Sequence, residues 1–184
     1  MEPGIEIARF TTIQGKEVIV TTLRESDLPD LLTYANNLIA EDTCILLSGA
    51  QLTKEFEKKY VDDTIDAMQK RKKIHFIARI DGCLAASFEI RILPLRKSHG
   101  GEIGISIAKA YRGQGIGKKC MELLIREAHN AGLRLLTLTC FAINTRALHM
   151  YTSLGFRKAG CIPEFLYYKG NYENEVIMYL PLIR

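Results

Sequence analysis

Apolar positions along the chain repeat with two periods, and the elements follow from them. Ile5–Ile13 and Glu17–Leu23 alternate as strands do, with a turn at Gln14-Gly15-Lys16 between them. Leu28, Leu31, Leu32, Ala35, Leu38 and Ile39 recur at helical spacing, with Ser26 and Asp27 placed to cap the helix and Pro29 in its first turn. Ala40–Gln51 has no period and reads as a loop. Thr53 is placed to cap a second helix whose expected buried face is Phe56, Tyr60, Val61, Ile65 and Met68. Ile74–Ile80 and Cys83–Ile92 flank Asp81-Gly82, a strong hairpin signal. After a polar, basic loop (Leu93–Gly101) comes a strand, Glu102–Ala108. A helix with Ile116, Cys120, Leu124 and Ala128 on one stripe follows and ends at Gly132. Leu133–Phe141 is an apolar strand expected to be buried on both faces. Asn144–Leu154 is a short helix closed by Gly155, Phe156–Tyr168 leads to a turn at Lys169-Gly170-Asn171, and Glu175–Leu180 is the last strand.

The order is ββ-α-α-ββ-β-α-β-α-ββ. Most strands run in hairpins. Glu102–Ala108, its helix and Leu133–Phe141 instead form a βαβ crossover with parallel strands. This predicts an α/β (α+β) fold, a mixed central sheet of about six to seven strands with helices on both faces. At 184 residues the chain suits one domain, 1–184, with a hydrophobic core of its own.

Composition adds mainly exclusions. No apolar run approaches the length of a membrane span, and Met1–Arg9 has no signal-peptide core, so the expectation is a cytoplasmic protein without a membrane partner. Five scattered cysteines without a CxxC read as reduced thiols, and the dispersed histidines form no metal constellation. Net charge is +4, densest at Lys70-Arg71-Lys72-Lys73, which reads as the solvated end of a helix rather than a nucleic-acid site.

The chemistry concentrates at Tyr111–Lys118, Tyr-Arg-Gly-Gln-Gly-Ile-Gly-Lys, between a strand and an amphipathic helix. Glycines let the backbone pass close to a ligand, and the helix start presents unpaired N–H groups and the positive dipole end. That is an anion cradle suited to phosphate. It is not a P-loop: Arg112 stands where the first Gly should be and Lys119 where the hydroxyl should be. It is not a dinucleotide fingerprint either, because Lys118 or Cys120 stands at the third glycine.

Three features together carry a resemblance. They are Arg112-Gly-Gln-Gly-Ile-Gly117, the preceding strand Glu102-Ile-Gly-Ile-Ser-Ile, and Asn144-Thr-Arg-Ala-Leu-His-Met-Tyr151-Thr-Ser-Leu-Gly-Phe156. In this order they resemble the GNAT superfamily of acetyl-CoA-dependent N-acetyltransferases, most closely from about Gly101 to Phe156. The resemblance implies a GNAT fold with a central βαβ cofactor unit and acetyl-CoA (coenzyme A) as donor. It implies that the amides of Gly113, Gln114, Gly115, Ile116, Gly117 and Lys118 bind the pyrophosphate, with Arg112 beside them. The pantetheine arm would lie along Ile105, Ser106 and Ile107, in a splay between that strand and Leu133–Phe141. Asn144 would help hold the arm, and Tyr151 would sit near the thioester sulfur.

Acetyl transfer requires an amine that has lost a proton, which a carboxylate accepts directly or through one water. Glu102 is the first candidate, sharing a face with the small residues Gly104, Ser106 and Ala108. Glu89 on the neighbouring strand is the second. A backbone N–H, that of Ile105, is the natural donor to the acetyl oxygen, and Tyr151 the proton donor to the departing thiolate. Arg112 either meets phosphate or caps loop carbonyls. Lys118 and Arg146 are further cations near the cradle, and Cys140 reads as a small buried residue rather than a nucleophile. Tyr34, Glu41, Asp42, Glu164, Tyr167, Tyr168 and Glu173 would line the acceptor side and suit a cationic amine. The first expectation is a small primary amine, polyamine or amino-acid-like acceptor. The alternatives are a protein N-terminal or lysine acetyltransferase, or a non-catalytic acyl-CoA sensor on the same fold. A homodimer is compatible with the sequence.

Overall fold

The computed structural model describes residues 1–182. Its strands are β1 (Glu6–Thr11), β2 (Glu17–Thr22), β3 (Lys73–Ile80), β4 (Cys83–Ile92), β5 (Gly100–Ile107), β6 (Leu135–Phe141), β7 (Arg157–Tyr168) and β8 (Asn171–Pro181). Its helices are α1 (Leu28–Glu41), α2 (Lys54–Gln69), α3 (Ile116–Asn130) and α4 (Thr145–Ser153). The element order is the one expected. The strands join in one eight-stranded sheet, β1-β2-β3-β4-β5-β6-β8-β7, one or two more than anticipated. All pairings are antiparallel except β5–β6, the crossover around α3.

Local signals account for most boundaries. Thr53 caps α2, accepting a hydrogen bond from the Phe56 N–H. Asp81 and Gly82 both take positive φ (50° and 79°), as a two-residue hairpin whose twist matches its strands requires. Gly132 leaves α3 with φ 74°.

Two cores lie on opposite faces of the sheet. Ile116, Cys120, Leu124 and Ala128 of α3 and Tyr151 of α4 pack on Val20, Phe76, Phe88 and Ile90. Leu31 and Leu38 of α1 and Val61, Ile65 and Met68 of α2 pack on Leu23, Ile77 and Leu84. Each fully buried Leu, Ile or Phe contributes about 1.5–3 kcal/mol of apolar transfer, so both faces are needed to hold the sheet.

Three expectations change. Phe56 was assigned to the buried face of α2, but it is 61% exposed and Glu57 is buried in its place. β6 was expected to be buried on both faces. It alternates instead over Leu135–Cys140, with Leu136, Leu138 and Cys140 inside and Thr139 exposed, before Phe141 is buried again. The run Lys70–Lys73 is not wholly solvated: Lys73 is the first residue of β3, and its side chain is only 14% exposed.

Candidate acetyl-transfer site

The opening arises where the parallel pair separates. Only Gly100, Gly101 and Glu102 pair with β6, opposite Leu135, Leu136 and Thr137. From there β5 stays on β4, ending at Ser87–Ser106 and Ala86–Ile107, while β6 stays on β8 as far as Phe141. The far half of β5 therefore has a main-chain edge with no strand beside it. The Ile107 carbonyl, which accepts from Arg112 Nε at 2.9 Å, faces away from β4, whereas the Ala108 N–H bonds back to Ala85 of β4. Strand alternation then turns the N–H and C=O of Ile105 toward the open edge.

A pocket of about 900 Å³ fills this splay. Its walls include Glu102, Ile105, Ser106 and Ile107 of β5, Gly113, Gly115, Ile116, Gly117 and Lys118 of the loop and α3, Cys140 of β6, and Asn144 and Tyr151 of α4. At one end lies the glycine turn. Gly113 and Gly115 take φ of 81° and 82°, and α3 starts immediately afterwards with no side-chain cap and no acidic residue in its first turn. Its first N–H groups are thus free for an external acceptor, and the dipole end they share favours an anion. The turn is held from behind, where the Ile13 N–H bonds to the Gln114 carbonyl at 3.2 Å. A Cβ at Gly113 would lie 2.9 Å from Arg146 Nη2, so an exposed guanidinium overhangs the cradle. A diphosphate fits these groups: unpaired amides, a dipole end, and cations at Arg146 and Lys118.

Arg112 takes the second of its two expected roles. Its guanidinium grips Glu41 with both Nη atoms and the Ile107 carbonyl with Nε. Its Nε and both Nη atoms are engaged inside the protein, so Arg112 braces the loop in this structure. Gln114 likewise turns inward, donating to the Ala110 carbonyl at 2.9 Å, and only its main chain serves the cradle.

The two carboxylate candidates are placed differently. Glu102 forms a surface ion pair with Arg91 at 2.7 Å, both well exposed. Glu89 lies beside Gly104, where a Cβ would touch its Cγ at 3.5 Å, and it borders both the donor pocket and a second one. Its Oε2 accepts from Lys73 Nζ at 2.8 Å and from the Tyr60 hydroxyl at 3.2 Å. His75 is 0% exposed, with Nε2 at 3.1 Å from Ser87 Oγ and 3.8 Å from Glu89 Oε2. Burial raises the pKa of Glu89, but nearby positive charge and the hydrogen bonds from Lys73 and Tyr60 outweigh it, and the net shift is downward. Because burial drives His75 down to about 4, the imidazole is neutral at pH 7, and Lys73 is the cation that keeps Glu89 ionised.

The remaining candidates fall around the same pocket. Tyr151 is buried, and burial raises its pKa, so the phenol holds its proton at neutral pH. Asn144 caps α4 through its carbonyl oxygen, which accepts from the Ala147 N–H at 3.2 Å, leaving its amide nitrogen as the remaining donor. Cys140 has its thiol pKa pushed up to about 11 by burial, which removes the thiolate a nucleophile would need. Tyr34 donates to or accepts from Ser106 Oγ at 2.9 Å, joining α1 to β5. Lys73, His75 and Tyr60 were not singled out from sequence. The available signal was strand alternation, which puts Lys73 and His75 of β3 on the face that carries Ser87 and Glu89 of β4.

A parted sheet, a glycine turn and an uncapped helix start thus line one elongated pocket, with an anion cradle at one end and Glu89 on its wall. A sequence model of the Acetyltransferase (GNAT) family matches residues 41–156, and the chain belongs to that family. The [ribosomal protein bS18]-alanine N-acetyltransferase of Escherichia coli K12 is 33% identical over 78 residues, 42% of this chain. The match takes in 53% of that enzyme, so the chain spans about half the length of the curated relatives it matches. Among solved structures, a GNAT-family acetyltransferase from Streptococcus pneumoniae superposes with a TM-score of 0.80 at 24% identity, over 90% of this chain and 99% of that one. RimL, a ribosomal L7/L12 α-N-protein acetyltransferase in complex with coenzyme A, superposes with a TM-score of 0.83 at 18% identity, over 97% and 98%. No helix of the described residues is long and apolar enough to cross a membrane.

Proposed function

We propose that this protein transfers the acetyl group of acetyl-CoA to the α-amine of a polypeptide N-terminus, with Glu89 as the base. The observation that carries the reading is one continuous pocket that joins the uncapped start of α3, the open edge of β5 and Glu89. Bound there, acetyl-CoA supplies an acetyl thioester activated toward amines. The loop amides, Arg146 and Lys118 hold its diphosphate end, and the open-edge N–H and C=O of Ile105, the Ile107 N–H and the Asn144 amide hold its arm. Glu89 takes a proton from the incoming ammonium, directly or through a water. The Ile105 N–H donates to the acetyl oxygen as negative charge gathers on it. As the carbon–sulfur bond breaks, Tyr151 gives its proton to the departing sulfur; the nitrogen sheds its second proton, which returns through water to the Tyr151 oxygen, and the proton held by Glu89 passes to solvent.

The choice of an α-amine departs from the first expectation of a small cationic amine. Glu89 already carries the Lys73 ammonium, so the site has little net negative charge left to attract a second cation. It favours an acceptor with a sizeable neutral fraction near pH 7. An α-amine, with a pKa of about 7.7–8.0, meets this far better than a lysine side chain at about 10.4. The 33%-identical relative, named for alanine N-acetylation of a ribosomal protein, agrees with this reading. The test offers acetyl-CoA with a peptide bearing a free N-terminus and no lysine, and with an N-terminally blocked peptide containing lysine, following thiol release and peptide mass. Acetylation of the first and not the second is expected. Equal acetylation of the lysine peptide refutes the α-amine assignment, and coenzyme A binding without thiol release in either case would mark a sensor.

A further inference from the structure

We infer that the N-terminal residue accepted by this protein carries a large apolar side chain, which occupies a chamber under α1. The inference rests on the transferase reading above and deepens it. The chamber measures about 490 Å³ and adjoins the donor pocket, sharing Ile45, Leu46, Glu89, Gly104, Ile105 and Ser106 with it. A group entering it is therefore attached close to the reacting amine. Its walls are Leu31, Ala35 and Leu38 of α1, with Leu52 and Phe56 opposite. At the mouth, Leu46 and Phe56 stand 70% and 61% exposed, two large apolar groups that an occupant would cover.

The polar groups at its floor offer little to a polar side chain. The Tyr34 hydroxyl is paired with Ser106 and the Tyr60 hydroxyl with Glu89. Glu57 also lines the chamber but is 2% exposed, and burial raises its pKa, which weakens its pull on a cation. An alanine methyl would leave most of this volume without contacts, and apolar walls gain only from what fills them. Leucine, methionine or phenylalanine covers several times more of those walls than a methyl does.

The test compares peptides that differ only in the first residue: Leu, Met, Phe, Ala, Ser and Lys. The Leu, Met and Phe peptides are expected to exceed Ala and Ser by about tenfold or more in kcat/KM. Equal rates for Ala, or a preference for Lys, overturn the inference while leaving acetyl transfer intact. Calorimetric titration with leucinamide and alaninamide supplies an arm independent of turnover. Tighter binding of leucinamide supports the chamber even if no amine is acetylated, and equal affinity refutes it. Leucinamide as good a substrate as the Leu peptide would show that the chamber takes free amines as well as chain ends, and overturns the restriction to polypeptides. Ala35→Phe should fill the chamber and reverse the Leu-over-Ala preference. Phe56→Ser, at an exposed position that does not threaten folding, should raise KM for the Leu peptide severalfold and leave KM for acetyl-CoA alone. An unchanged KM for the Leu peptide counts against the assignment.

Discussion

Two glycines of β5, three residues apart, should separate stability from activity. Gly101 sits where β5 and β6 still pair, and a Cβ there would lie 2.5 Å from Ile90 Cγ2, 3.0 Å from Leu133 Cδ1 and 3.2 Å from Leu136 Cδ2. Those neighbours are buried and cannot all retreat. Overpacking of this kind costs about 1–3 kcal/mol, offset by about 0.4–1 kcal/mol because alanine stiffens the unfolded chain. From the middle of each range the net for Gly101→Ala is a loss of about 1.3 kcal/mol, which in a chain of this size lowers Tm by roughly 3–5 °C. At Gly104 a Cβ would meet only Glu89, its Cγ at 3.5 Å and Oε1 at 4.0 Å, which is ordinary contact. Gly104→Ala should therefore hold its Tm within about 2 °C of the parent or raise it slightly. Its methyl would nonetheless stand beside Glu89, the proposed base, where both pockets are lined by Gly104, and a displaced reacting group can cost up to about 100-fold in rate. Thermal unfolding by circular dichroism and thiol release on the same samples decide the matter. The reasoning fails if Gly101→Ala melts with the parent, if Gly104→Ala melts as low as Gly101→Ala, or if Gly104→Ala acetylates normally.

Glu89→Gln should lower kcat/KM by about 10²–10⁴, the usual range for a lost general base, while Glu102→Gln changes it by less than about threefold; the reverse order would return the role to Glu102. Gly115→Val forces a branched side chain into a φ of 82° with a contact to Ile13, and calorimetry should show loss of coenzyme A binding with the fold retained. His75 adds a pH dependence to stability. Its folded pKa of about 4 lies below the unfolded value near 6.5, so the unfolded chain takes up the proton first, and stability is lost as pH falls from about 6.5 and levels off below about 4. The difference amounts to about 3 kcal/mol over that window, and urea unfolding of the parent and His75→Gln at stepped pH should show a shallower slope in the variant.

The elements and the glycine turn at the start of α3 were legible because they depend on local rules. A glycine turn before an amphipathic stripe, Asp81-Gly82 between apolar runs and Thr53 before α2 each act within a few residues. The acceptor half was not, because its partners are remote in sequence. Lys73 looked like the end of a basic run until the strand phase of β3 turned it toward Glu89. Arg112 looked like a phosphate ligand because nothing local announces Glu41, 71 residues away. Phe56 fits the helical stripe of α2 by spacing, but that stripe extends past the core to the mouth of the chamber, where nothing covers it.

The grip of Arg112 on Glu41 has a kinetic consequence. Glu41 is the last residue of α1, and the next one, Asp42, gives its carbonyl to the Tyr168 hydroxyl. In the proposed transferase, the end of α1 beside the acceptor side is thus tied to the same turn that would cradle the diphosphate. Any strain that filling one side places on this clasp changes the free energy of filling the other by the same amount. Saturation curves for the peptide should therefore shift with the concentration of acetyl-CoA, and severing the clasp with Glu41→Gln should make the two substrates indifferent to each other.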